Sequence, residues 1–212
     1  MPATHDLPLF VLSGLLLNLT PGADTLYIVS RAAAQGARTG ALAALGISAG
    51  CVAHALAAAL GLSAVLAASA TAFDVVKWVG AAYLVYLGIG LIRRAPDSGS
   101  TAIAALKPAR AGRVFLEGML TNLLNPKVAL FFLAFVPQFI AADAPAKPLA
   151  FLILGGIFIF NGTLWCLFVA WAAARFGAGI ARSRVWSAWL ARAGGVLFIA
   201  LGIRLALTRP GA

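Results

Sequence analysis

Charge is the scarcest property of this sequence. Only 10% of its 212 residues are charged, 62% are hydrophobic, and the 6 acidic residues face 16 Lys and Arg. About a quarter of the residues of a soluble domain are charged, so these charges cannot cover a water-exposed surface of this size. The composition therefore excludes a soluble globular protein and predicts an all-α integral membrane protein.

Several chemical signatures are missing as well. The two cysteines, Cys51 and Cys166, each lie in an apolar stretch without a C-x-x-C pair, so both are expected to be small buried side chains. The sequence has no glycine-rich phosphate loop, metal-ligand cluster or Ser-His-Asp arrangement. It therefore predicts no enzyme, cofactor or resident metal. Residues 1–9 contain no Lys or Arg, so no cleaved signal peptide is expected.

What the sequence has instead is apolar segments that could cross a bilayer, which takes about 20 residues per helix. Proline-containing breaks interrupt the first and the fourth of six such segments. The segments group into two three-helix repeats, residues 1–94 and 114–212, joined by a basic linker over residues 95–113. The six are predicted over about 7–29, 42–66, 78–92, 115–140, 149–174 and 190–207. Small residues recur along one face of the second, at Gly46, Gly50, Ala53, Ala57 and Gly61, and predict close helix packing.

Basic residues are distributed unequally between the predicted links. Of the 16 Lys and Arg, eleven fall on the links after the first, third and fifth segments, and four lie on the other side. The positive-inside rule places the eleven in the cytoplasm, so both termini are predicted to face away from it. Anionic lipid headgroups account for the net charge of +10, and no nucleic acid partner is expected.

The two halves of the chain resemble each other. Residues 80–91 (GAAYLVYLGIGL) align without a gap with residues 194–205 (GGVLFIALGIRL), and N-L-T-P at 18–21 resembles N-L-L-N-P at 122–126. Because three helices per repeat is an odd number, the halves would insert with opposite orientations. Inverted repeats with matching broken helices are typical of secondary transporters with a site near the bilayer midplane.

The two breaks place opposite charges inside apolar segments. Asp24 follows the first break by about one turn, and Lys127 stands at the second. A charge in hydrocarbon costs about 2.5–3.5 kcal/mol, so each should face the other, water or a substrate. One interpretation is a closed, structural ion pair. In the other, Asp24 binds an ammonium group or a proton, while Lys127 and the half-helix amides bind a carboxylate, which together suit a zwitterion.

The residues around both breaks form the predicted substrate-binding or coupling site. Thr20 and Asn125 precede the two prolines and are expected to cap the second half-helix of each pair. On the fifth segment, Asn161 shares a face with Trp165. His54 is expected to be a packing residue. The full predicted site is Asn18, Thr20, Pro21, Gly22, Asp24, Asn122, Asn125, Pro126, Lys127 and Asn161.

The two break motifs resemble the signatures of the LysE/RhtB family of amino-acid exporters. Residues 18–24 (NLTPGAD) resemble the N-terminal signature, with Ala23 where a second proline is frequent, and residues 122–127 (NLLNPK) resemble the second. The resemblance covers almost the whole chain. It implies a six-helix translocator of the bacterial inner membrane that exports amino acids or close derivatives, driven by the proton motive force.

The partners that follow from this resemblance are a small-molecule amino acid, protons and membrane lipid. It is also compatible with a homo-oligomer. Two other functions compete with it. A divalent-cation exporter would need more intramembrane ligands than Asp24 and His54 supply. A membrane-embedded thiol redox protein would need Cys51 and Cys166 to pair.

Overall fold

The computed structural model describes residues 4–62, 70–93, 109–141 and 144–176, and the shorter pieces 192, 195–196, 198–200, 202–203 and 206–207. These residues are helical apart from short connections, and they contain no strand beyond an isolated bridge between Thr4 and Ile140. The prediction of an all-α protein is confirmed. Residues 95–108 of the predicted linker lie outside the described residues.

Helices α1 and α2 are the two parts of the first apolar segment, and α5 and α6 are the two parts of the fourth. The helices are α1 (Leu7–Leu19), α2 (Ala23–Gln35), α3 (Ala37–Ala57), α4 (Ala70–Arg93), α5 (Ala111–Leu123), α6 (Pro126–Leu130) and α7 (Lys147–Phe176). A π-helical turn, Ala58–Leu62, extends α3. A π-helical turn over Phe131–Phe135 and a 3-10 turn over Val136–Phe139 extend α6.

Three helix boundaries differ from the prediction. Helix α2 continues to Gln35 instead of ending near Val29, because Arg31 is accommodated inside the helix by an ion pair with Glu117. Helix α4 begins at Ala70 rather than near Trp78, and α5 begins inside the predicted linker.

Two described helices are long and apolar enough to cross a membrane, and up to four spans result if each bent pair counts as one. The two are Ala37–Gly61, with 25 residues, and α7, with 30. The axes of α1 and α2 differ by 53°, and those of α5 and α6 by 49°. Large apolar side chains such as Leu60, Phe160 and Trp171 are exposed on the outside, as contact with lipid requires.

Two apolar clusters form the interior. The aromatic cluster joins α1, α6 and α7, where the rings of Phe131 and Phe158 stack with centroids 4.3 Å apart and Phe10 packs against Phe131. The small-residue cluster joins α2, α3, α5 and α7 around Ile28 and Ala43. The polar site described below borders both clusters.

Helices α3 and α5 pack backbone against backbone. A Cβ atom on Gly50 would lie 2.6 Å from the Met119 carbonyl oxygen, and one on Gly118 would lie 2.6 Å from that of Ala43. The small-residue stripe predicted on α3 is thus correct at Gly46 and Gly50. It is wrong farther along the helix, where Ala53 and Ala57 are exposed and a Cβ atom on Gly61 would meet no other described residue within 4 Å. The reason is that α5 ends at Leu123, so it does not extend along this part of the α3 face.

Candidate functional site

The first break covers Thr20 to Gly22, where the chain leaves helical geometry. Thr20 is extended, with φ −71° and ψ 115°, and its hydroxyl donates to the Leu16 carbonyl oxygen at 2.7 Å. Gly22 is the residue before α2, and no side chain caps that helix. The prediction that Thr20 caps α2 is therefore wrong, because its hydroxyl reaches back one turn to α1 instead.

The second break covers Leu124 and Asn125. The Asn125 side-chain oxygen accepts a hydrogen bond from the backbone amide of Lys127 at 3.0 Å, with Pro126 as the first helical residue. This is the N-cap geometry that satisfies one of the free amides at a helix start. The prediction that Asn125 caps the second half-helix is confirmed.

Asp24, at the start of α2, contacts the second break. Its Oδ2 accepts from the side-chain amide of Asn122 at 2.9 Å and from the side-chain amide of Asn125 at 3.2 Å. Its Oδ1 is buried and has no partner among the described residues. Asp24 is therefore held by two neutral donors on one oxygen, and its other oxygen is available.

Lys127, at the start of α6, contacts the first break. Its ammonium group donates to the carbonyl oxygens of Leu17 and Thr20, both at 3.2 Å. It also lies beside Gly22, where a Cβ atom would be 3.4 Å from Nζ. Within the part of the chain that the structure describes, no ion pair joins Lys127 to Asp24. Each charge is instead bound by neutral groups of the opposite break.

A cavity of about 40 Å³ lies between the breaks, room for a few water molecules. Of the predicted site residues, Asn18, Asp24, Asn122 and Lys127 line it. Asn161 does not, although the next two residues of α7, Gly162 and Thr163, do. Pro21 and Pro126 are exposed and shape the backbone rather than the cavity wall.

Three buried polar atoms at the cavity have no partner among the described residues. They are Asn18 Nδ2, Asp24 Oδ1 and Asn122 Oδ1. Buried polar groups are nearly always hydrogen-bonded to protein or water, so this group indicates a place where water or a ligand binds. The set has one donor and two acceptors, next to an ammonium group whose third N–H makes no described bond.

Sequence reasoning missed several residues of this cavity. The hydroxyls of Ser48 on α3 and Thr163 on α7 lie 2.7 Å apart and both line it. Cys51 and Cys166 line it too, and both are free thiols. A spacing of three to four residues shows which side chains share a helix face, but not which face meets another helix, so no local signal could have found these four.

His54 packs as predicted but also supports the second break. Its ring lies parallel to that of Phe132, with centroids 6.3 Å apart, and its Nε2 lies 3.2 Å from the Asn122 carbonyl oxygen. That carbonyl also accepts from the backbone amide of Asn125 at 2.9 Å. Among the described residues, no group of three or more His, Cys, Asp and Glu side chains could hold a metal ion.

Comparisons with known proteins identify the family of the chain. Residues 15–209 match the family LysE type translocator. The chain is 33% identical over 201 residues to a homoserine/homoserine lactone efflux protein of Salmonella typhi, covering 94% of this chain and 95% of that protein. It is 32% identical over 200 residues to an uncharacterized membrane protein of Pseudomonas aeruginosa, covering 93% of each. No solved structure matches it. The chain therefore belongs to the LysE type translocator family.

Proposed function

We propose that this chain is a secondary transporter that exports amino acids or close derivatives across the bacterial inner membrane, with the substrate bound between the two helix breaks. The proposal rests on one observation: both breaks meet at one cavity, where Asp24 and Lys127 are each bound by neutral groups. The efflux proteins of Salmonella that the chain resembles support export as the direction.

The contacts between the halves support an inverted repeat of six spans. The start of α2 contacts the end of α5 through Asp24, and the start of α6 contacts the end of α1 through Lys127. These two contacts are equivalent if the repeats are related by a two-fold axis. The positive-inside rule then places both termini outside the cytoplasm.

A second pair of contacts has the same symmetry. A Cβ atom on Gly88 would lie 2.5 Å from the Gly195 carbonyl oxygen, and one on Gly202 would lie 2.8 Å from that of Ala81. In the alignment of residues 80–91 with residues 194–205, Gly88 corresponds to Gly202 and Ala81 to Gly195. The two contacts are therefore one contact repeated, as a two-fold axis between the halves requires.

The arrangement of charges suits a zwitterion. A direct Asp24–Lys127 ion pair would have to be broken before a substrate could bind, and removing one partner of a buried pair costs about 3–5 kcal/mol. Here the free Oδ1 of Asp24 can accept from an ammonium group without that cost. Lys127 can turn from the two carbonyls to a carboxylate, since a charged acceptor makes the stronger hydrogen bond.

Asp24 is also the proposed coupling residue. A carboxylate that binds either an ammonium group or a proton cannot hold both, so the bound substrate and the proton exclude each other. Exchange at one carboxylate couples efflux of the substrate to uptake of protons along the gradient. Intramembrane carboxylates form such proton relays in pumps and transporters.

The test is efflux from proteoliposomes loaded with labelled homoserine, under an imposed pH gradient and after its collapse with an uncoupler. We expect gradient-dependent efflux by the native chain, loss of efflux in Lys127→Ala, and native rates in the control Lys147→Ala at the start of α7. Efflux that ignores the gradient would overturn the coupling. Efflux that survives in Lys127→Ala would overturn the site, and if none of a panel of labelled amino acids leaves the vesicles, the substrate class is wrong.

A further inference from the structure

A second polar cluster, separate from the cavity, joins α2 to α5. Glu117 lies at its centre: its Oε2 accepts from Arg31 Nη2 at 2.6 Å and from the Tyr27 hydroxyl at 3.1 Å, and its Oε1 accepts from Arg113 Nε at 2.8 Å. The Tyr27 hydroxyl also lies 2.9 Å from the Val114 carbonyl oxygen. The cluster therefore closes the seam between one helix of each half.

Arg31 is the buried member of this cluster. It is 5% exposed, whereas the side chain of Arg113 is 75% exposed. Only its Nη2 is bonded: Nε and Nη1 are buried and have no partner in the described part of the chain. A guanidinium group has five N–H donors in a planar fork that matches both oxygens of a carboxylate. Glu117 uses one oxygen on it, so the binding capacity of Arg31 is only partly filled.

The seam leads from Arg31 to the cavity. Asp24, Tyr27 and Arg31 follow one another at spacings of three and four, so they share one face of α2. At 1.5 Å per residue, Arg31 lies about 10 Å along the helix from Asp24. Helix α5 runs beside it in the opposite direction, with Asn122 next to Asp24 and Glu117 next to Arg31. Separating α2 from α5 would open a polar path into the cavity.

Opening this path has a specific electrostatic cost. It separates Glu117 from Arg31, and breaking an ion pair whose arginine is buried in the closed seam is destabilising. Another anion at Arg31 removes that cost. If the cargo is an amino acid, as proposed above, its carboxylate is such an anion, and its arrival favours the open seam.

We propose that Arg31 is a carboxylate-binding site on the cargo's route to the cavity, and that Glu117 occupies this site while the route is closed. The inference rests on the proposed function for the identity of the cargo. The site itself can be tested with a simple carboxylate and does not depend on export.

The first experiment measures how fast a membrane-impermeant maleimide labels Cys166, which lines the cavity, in a Cys51→Ala background. Inside-out and right-side-out vesicles are compared in sodium acetate and in sodium chloride at equal ionic strength. We expect acetate to accelerate labelling severalfold from one membrane face only. In chloride, Cys166 of Glu117→Gln should be labelled as fast as that of the native chain in acetate. Arg31→Gln should lose the response to acetate. Arg38→Gln, an exposed arginine on α3, is the matched control and should keep it.

Three results would overturn the assignment: equal labelling in acetate and chloride, an acetate response that survives in Arg31→Gln, or faster labelling of Glu117→Gln from both faces, which would mean general loosening. If Arg31→Gln does not fold, Arg31→Lys keeps the positive charge but not the fork and should show a weakened acetate response. An Arg31→Lys response equal to the native one would equally reject a fork-type site.

The second experiment uses homoserine and its lactone, which lacks a free carboxylate, as export substrates. Arg31→Gln should raise KM for homoserine about tenfold or more, the range of a lost charge-assisted hydrogen bond, and leave KM for the lactone unchanged. Glu117→Gln should lower KM for homoserine. A purely structural role would impair both variants with both substrates. If the native chain exports neither compound, the proposed substrate fails, and the labelling experiment alone decides on Arg31.

Discussion

Replacing Asp24 with Asn tests whether the free oxygen of this carboxylate is what the substrate uses. Oδ2 accepts two side-chain amide hydrogen bonds, whereas Oδ1 accepts none from the residues that the structure describes. The amide oxygen of Asn can keep both bonds, but as neutral ones. Each would weaken from about 1.5–3 kcal/mol to about 0.5–1.5 kcal/mol, so the two together would lower the free energy of unfolding by about 2–3 kcal/mol.

The effect on transport should be much larger than the effect on folding. The substitution removes the negative charge opposite the substrate's ammonium group, and removing one partner of a buried charge pair costs about 3–5 kcal/mol. Since about 1.4 kcal/mol corresponds to a factor of ten, kcat/KM for efflux should fall about 100- to 4,000-fold. The variant should still fold, with a Tm lower by a few degrees.

The assay is initial efflux rate from proteoliposomes over a range of internal substrate concentrations, with Tm in detergent measured on the same preparations. Asp6→Asn is the matched control, because Asp6 is an exposed carboxylate that does not line the cavity, and it should export at the native rate. If Asp24→Asn exports within threefold of the native chain while its Tm also stays the same, the reasoning about Oδ1 is refuted.

Three further substitutions test the support around the site. Asn125→Ala removes the cap of α6 and one donor to the carboxylate, so Tm should fall and efflux slow; unchanged values of both would show that the second break needs no cap. Gly50→Ala places a Cβ atom 2.6 Å from a carbonyl oxygen of α5 and should cost about 1–3 kcal/mol or more, whereas Gly61→Ala, in open space, should not lower Tm. His54→Leu removes a partner of the Asn122 carbonyl and should cost about 1 kcal/mol, and His54→Gln should restore part of it. Equal Tm values for the Leu and Gln variants would argue against that bond.

Local sequence patterns predict the positions of the two helix breaks and the residues at them. A proline with a capping side chain before it gave the correct start of α6 at Pro126. At the first break the same signal failed, because the Thr20 hydroxyl had two acceptable partners, the amides ahead and the Leu16 carbonyl behind. A side chain of this kind caps whichever helix end it reaches, and the sequence does not say which.

Long-range pairings were beyond the sequence. Arg31 and Glu117 form an ion pair across 86 positions of the chain, and no local pattern around either residue indicates that they meet. No sequence pattern links Ser48 to Thr163, yet their hydroxyls lie within hydrogen-bonding distance at the cavity. Such partners are set by the distance and rotation between helices, which the composition of a single helix does not contain.

The sequence by itself determined that this protein lives in a membrane, that its helices are interrupted at two motifs, and that an acid and a base stand at those interruptions. These conclusions depend only on composition and on short sequence patterns: the scarcity of charge, the prolines in apolar segments and the charged residues next to them. Only the tertiary structure decided that Asp24 and Lys127 bind neutral groups of the opposite break rather than each other. The physical reason is that the tertiary packing brings the side-chain amides of Asn122 and Asn125 to Asp24, and the backbone carbonyls at the end of α1 to Lys127. These neutral groups stabilise each charge and leave it able to bind a further partner.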